Sequence, residues 1–174
     1  MFTGMAALGC QLASMVIRDR SVDIAGSPTI RPPLFYLAKI GMAISLCCLI
    51  WEGLFPRMPL SALEAGGFLA LFAPGWVLMA TAFHRLGANL RMGLPGEETR
   101  LITSGIYGIS RNPIYLGLFM LMGASLIYAF SWLNLAAVAV SVVLHDRIAR
   151  AEEVFLASRF SDYAAYKSRV RRYL

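Results

Sequence analysis

Two runs of about 20 predominantly apolar residues, Leu34 to Phe55 and Ala62 to Phe83, follow one another with only a short proline-bearing link between them. A helix needs about that length to cross a hydrocarbon core of roughly 30 Å, and in lipid its backbone must satisfy its own hydrogen bonds. Pro56 and Pro59 disfavour helix across the link. The expectation is a helical hairpin in a membrane. A chain of 174 residues that is 58% hydrophobic and only 15% charged is too oily for a soluble domain of that size.

Met1 to Ile17 is apolar too, and is read as a further, marginally long span with Gln11 and Ser14 on one face. No basic stretch precedes it, so a signal peptide is the weaker reading. Ile114 to Leu144 is too long for one straight span, and Ser131, Trp132 and Asn134 interrupt it. It is read as two short or tilted helices meeting at a tight turn, with Trp132 as an interfacial anchor. The fold expected is therefore all-α: one polytopic membrane bundle of about five spans, with a helix-turn-helix pair near the C-terminus.

Charge sets the expected topology. With the N-terminus outside and the C-terminus in the cytoplasm, every Lys and Arg except Arg57 falls on the inner side, as the positive-inside bias requires. The formal net charge of +6 then reflects topology and attraction to membrane lipids, and nucleic acid need not be invoked. Cys10, Cys47 and Cys48 lie in apolar segments without metal-ligand spacing, so no metal is expected.

The polar stretch from His84 to Asn112 is long for a loop without a role. Its later part, Leu101 to Tyr107, could run extended before Arg111-Asn112-Pro113. Pro113 suits the first turn of the next helix and Asn112 its cap. Beyond Leu144 the helix is expected to continue, with Asp146 four residues before Arg150 and Arg150 three before Glu153. By spacing alone, Glu152 and Glu153 read as a solvated face, Asn112 as a simple cap, and His84 and His145 as interfacial polar residues. The tail interleaves Phe160, Tyr163, Tyr166 and Tyr173 with Arg159, Lys167, Arg169, Arg171 and Arg172, a pattern suited to a membrane interface.

Taken together, Leu101-Ile102-Thr103-Ser104-Gly105-Ile106-Tyr107, Arg111-Asn112-Pro113-Ile114-Tyr115-Leu116-Gly117, Glu152-Glu153, and Tyr163 and Tyr166 followed by Arg169-Val170 resemble the isoprenylcysteine carboxyl methyltransferase family. The resemblance covers Leu86 to Leu174. It implies a multi-span enzyme in which residues 1–83 supply N-terminal helices and 84–174 the catalytic half of one membrane domain. It further implies a cytoplasmic pocket for S-adenosylmethionine, and a lipophilic or lipid-modified substrate arriving from the bilayer.

On this resemblance Thr103, Gly105, Tyr107, Arg111, Asn112, Pro113, Tyr115, Glu152 and Glu153 would bind the cofactor, Tyr163 and Tyr166 the substrate, and Arg169 would face the acceptor group, most naturally a carboxylate. Asn112 stands where the family signature has His, Phe160-Ser161 replaces its usual Phe-Gly, and Arg171 its usual Pro. Two other classes fit the residues: an NADPH-dependent membrane reductase of sterol- or isoprenoid-like substrates, and a non-catalytic lipid-binding protein. No His-Glu-x-x-His or Gly-x-Gly-x-x-Gly pattern occurs, which argues against a zinc protease and a Rossmann-type enzyme.

Overall fold

The computed structural model describes residues 28–56, 59–87 and 100–174; the expected first span, Met1 to Ile17, lies outside them. Among the described residues the protein is all-helical. Helix α1 is Pro32–Leu54, α2 is Ala62–Leu86, α3 is Pro113–Tyr128, α4 is Trp132–Arg159 and α5 is Tyr163–Arg169. Three of them, α1, α2 and α4, are long and apolar enough to cross a membrane. This is a membrane protein.

Local chemistry sets the helix ends. Pro32 and Pro113 open α1 and α3, where a missing N–H costs nothing. Ser61 and Glu64 close a reciprocal cap on α2: the Ser61 hydroxyl accepts from the Glu64 amide at 3.3 Å, and the Glu64 carboxylate from the Ser61 amide at 2.9 Å. Ser131 caps α4 by accepting from the Asn134 amide at 3.1 Å. The break in the long apolar run therefore spans Ala129 to Ser131, and Trp132 and Asn134 lie inside the first turn of α4. Phe130 and Trp132 pack edge to face with centroids 5.6 Å apart and are both exposed, as expected at a lipid–water boundary.

α2 packs chiefly on α3, and α1 on α4. Small residues allow both approaches. A β-carbon on Gly117 would lie 2.6 Å from the Gly75 carbonyl oxygen, and one on Gly41 would lie 2.8 Å from that of Ala137. Inside the bundle the polar groups pair across helices. The Ser45 and Ser125 hydroxyls are 2.7 Å apart, and Asn134 Nδ2 donates to the carbonyls of Ser125 at 3.2 Å and Ala129 at 3.0 Å. Such bonds between buried polar groups join α1, α3 and α4 where no hydrophobic difference between protein and lipid would.

Two features position the site. α3 has 16 residues, about 24 Å at 1.5 Å per residue, short of a roughly 30 Å core. α4 has 28 residues, about 42 Å, so one end projects beyond such a core. Phe35 and Ala38 near the start of α1 pack on Leu144 and Ile148 of α4. The beginnings of α1 and α3 and the projecting end of α4 thus lie at one end of the bundle.

Candidate active site

The loop before Pro113 and the projecting part of α4 come together around the two adjacent glutamates, which have different partners. Glu153 is buried and surrounded by donors. Arg111 reaches it with Nη2 at 3.1 Å from each oxygen and Nε at 3.3 Å; Arg172 adds Nη2 at 2.9 Å and Nε at 3.0 Å; Asn112 Nδ2 adds a bond of 2.9 Å. These are charge-assisted, forked contacts. The Glu153 hydrogen bond raises the pKa of Arg172.

The same arginine ties down the tail. Arg111 Nη1 donates to the carbonyls of Lys167 at 3.2 Å and of Val170. The Arg111 and Asn112 amides donate to the carbonyls of Arg171 and Arg172, each at 3.0 Å, and the Ser110 hydroxyl also donates to Arg172 at 3.0 Å. The Tyr166 hydroxyl donates to the Tyr107 carbonyl at 2.6 Å, and that of Tyr173 to Asp146 at 2.9 Å. Asp146 also pairs with Arg150 at 2.7 Å, the expected one-turn helical pair. Glu153 turns inward, away from the solvated face that its spacing suggested.

Glu152 has one hydrogen bond among the described residues, accepted by Oε1 from the Tyr115 hydroxyl at 2.9 Å. The Tyr115 ring leans on His145, centroids 5.8 Å apart. His145 lies two turns before Glu152 on the same helix face and is fully buried. Its Nδ1 is 2.8 Å from the Ser141 carbonyl oxygen and its Nε2 is 3.4 Å from Lys39 Nζ of α1. His145 is therefore an interior residue, not an interfacial one. Sequence reasoning missed Lys39 as part of this cluster; the available signal was a lone cation near the start of an apolar run.

The remaining expected residues fall around these two centres. Residues 101–104 are irregular, and Gly105–Gly108 form a 3-10 turn, so Leu101 to Tyr107 is not an extended run. Gly105 has φ +65°, and a β-carbon there would meet Arg85 Nε at 3.0 Å, so any other residue would be strained. Thr103 enters this turn, and Tyr107 within it is buried, its phenol pKa raised by burial and by Tyr166. Pro113 is fully buried at the start of α3. Asn112 occupies the cap position without capping, because its amide serves Glu153.

Tyr163 and Tyr166 are buried edge to face at 5.9 Å. Burial pushes both phenols up to about 12, with Glu153 adding to the rise at Tyr163 and Tyr163 adding to it at Tyr166. Both therefore stay protonated at neutral pH. Arg169 is exposed, and its Nε donates to the Ala165 carbonyl of its own helix at 3.2 Å. Arg172, which the motif did not single out, is the tail arginine that reaches Glu153. Beside the 3-10 turn, an apolar groove of about 480 Å³ runs along the end of α2 between Val77, Ala80, Ile106 and Ile109, with His84 and Arg85 also lining it.

A sequence model of the phospholipid methyltransferase family matches residues 65–163, more than half of the chain. The chain belongs to the phospholipid methyltransferase family. Comparison with curated proteins and with solved structures returned no match. The phospholipid methyltransferase match takes in most of α2, the 3-10 turn, α3 and α4, including both glutamates, Arg111 and Tyr115. Lys39 of α1 and Arg172 of the tail lie outside it. Membership in the phospholipid methyltransferase family makes this a membrane methyltransferase, in line with the kinship implied by the motifs.

Proposed function

We propose that the protein is an S-adenosylmethionine-dependent methyltransferase whose pocket opens to the cytoplasm and whose acceptor is a lipophilic molecule drawn from the bilayer. The observation that carries this reading is the contrast between neighbouring carboxylates. Glu153 is saturated by two guanidiniums and an amide, whereas Glu152 accepts a single hydroxyl.

The donor and acceptor set suits the cofactor. S-adenosylmethionine supplies a methyl carbon made electrophilic by a sulfonium, and it also carries an ammonium, a carboxylate, a ribose diol and an adenine face. Glu152 would take a cationic or hydroxyl group, and the rings of Tyr115 and Tyr107 would cover an apolar face. Thr103 and Gly105 would contribute from the turn beside Tyr107. Arg111, Asn112 and Pro113 set the start of α3 against Glu153 and so hold Tyr115 in place. Methyl transfer is an in-line displacement that needs little acid or base help when the acceptor is an anion, so alignment and exclusion of water carry the rate.

The acceptor's chain would lie in the apolar groove beside α2, with its head group toward the tail. Tyr163 and Tyr166, buried behind the turn whose Tyr107 carbonyl Tyr166 bonds, would support the acceptor's side of the site, and Arg169, exposed on α5, would meet an anionic head group such as the carboxylate of an isoprenylcysteine-like molecule. The family description favours a second acceptor class, a phospholipid head group.

Membranes containing the protein, incubated with methyl-labelled cofactor, should yield a labelled lipid-soluble product. Base-labile label identifies a carboxyl ester, and base-stable label in a phospholipid fraction identifies the second acceptor class. Absence of label, together with stabilisation of the purified protein by NADPH but not by S-adenosylhomocysteine, would replace the methyltransferase reading with a reductase.

A further inference from the structure

Lys39 is a cation in the wrong place for an interfacial anchor. It lies seven residues into α1, about 10 Å along the axis, and its ammonium turns inward to His145, away from the neighbouring exposed Tyr36, Leu37 and Ile40. Intramembrane charges of this kind pair with an opposite charge or mark a ligand path. Among the described residues no carboxylate bonds to Lys39.

His145 is fixed so that it can accept only one hydrogen bond from it. The Ser141 carbonyl can only accept, so the imidazole Nδ1 at 2.8 Å carries the hydrogen and Nε2 presents its lone pair to Lys39 at 3.4 Å. The Ser141 hydroxyl is anchored in turn on the Ala38 carbonyl at 3.0 Å. An ammonium has three donors, and this arrangement uses one. Tyr115 connects the lysine's neighbour to Glu152: its ring rests on His145 and its hydroxyl bonds the carboxylate. Lys39 and Glu152 are thus the two ends of a chain of contacts through His145 and Tyr115, opposite in charge and not hydrogen-bonded to each other, with Tyr115 packed on Phe35, Ala38, Leu144 and Ile148.

We propose that Lys39, supplied by a helix outside the family match, binds the carboxylate of the cofactor's amino-acid end while Glu152 binds its ammonium. This rests on the methyltransferase reading and adds a specific recognition residue to it. A zwitterion satisfies both charges at once. The core packing between α1 and α4 beside the cluster disfavours entry of a two-chain lipid from that side.

The test is isothermal titration of the purified full-length protein in nanodiscs with S-adenosylhomocysteine and with its decarboxylated analogue, which keeps the amine and lacks the carboxylate. The wild type should bind S-adenosylhomocysteine about 10- to 100-fold more tightly than the analogue. Lys39→Met should lose that preference by weakening S-adenosylhomocysteine alone, and Lys39→Arg should keep most of it. A Lys39→Met protein that still prefers the carboxylate, or that loses affinity only for phospholipid, overturns the proposal. Should Lys39→Met fail to fold, equal binding of the two ligands by wild type overturns it equally well. Failure of the underlying methyltransferase reading looks different: wild type would then bind neither ligand.

Discussion

The clamp around Glu153 and the cluster around Glu152 begin one residue apart on α4, yet they are built on opposite principles. The clamp is closed: six hydrogen bonds from Arg111, Arg172 and Asn112 converge on one carboxylate, and the same residues fasten the tail to the start of α3. The cluster is open: Lys39, His145, Tyr115 and Glu152 touch in sequence and, among the described residues, leave donors and acceptors unused. A saturated ionic group fixes a shape, and an unsaturated one of the same chemistry is free to bind. The neutral network of Ser45, Ser125 and Asn134 further along the bundle belongs with the clamp, since it joins helices and is buried among them.

The comparison breaks most visibly at Glu153. Glu153→Gln leaves two guanidiniums facing a neutral amide, and removing one member of a buried ion pair costs about 3–5 kcal/mol. Unfolding in mixed detergent should show that loss, with limited proteolysis cutting first in the released tail. Arg172→Ala removes one of the two cations, the more exposed of them, and should cost about 1.5–3 kcal/mol in the same assay. Glu153 and Arg172 are partners in one ion pair, so the effects of Glu153→Gln and Arg172→Ala should sum to more than the double variant shows. Arg169→Ala lies at the other extreme. It should change stability by less than about 0.5 kcal/mol and leave S-adenosylhomocysteine affinity unchanged, while lowering turnover on an anionic acceptor. Equal turnover by wild type and Arg169→Ala would remove Arg169 from the acceptor's path.

The helices were legible because their causes are local. Run length, Pro56 and Pro59, and the Ser131 break decide where α1, α2, α3 and α4 lie without reference to anything distant. Joining Arg111 to Glu153 needed more, since 42 residues separate them, and only the joint motif pointed that way. Spacing on its own made Glu152 and Glu153 a solvated face and Asn112 a cap, because a helical wheel does not know what the tail will bring. Arg172 and Arg169 look equivalent in a basic, aromatic tail; the fold after Tyr166 turns one inward and leaves the other exposed. Topology rules sum cations without asking where each side chain points, so they do not show that Lys39 turns inward to His145. His145 escaped for the same reason, its partners being on α1 and α3.

The most direct test compares Glu152→Gln with wild type by titration of S-adenosylhomocysteine, with detergent unfolding run on both proteins. Wild type should show one saturable site, and Glu152→Gln should lose about tenfold or more in affinity with stability altered by less than about 1 kcal/mol. Undiminished affinity in a folded Glu152→Gln protein would contradict this, because the open carboxylate would then not be where the cofactor is held.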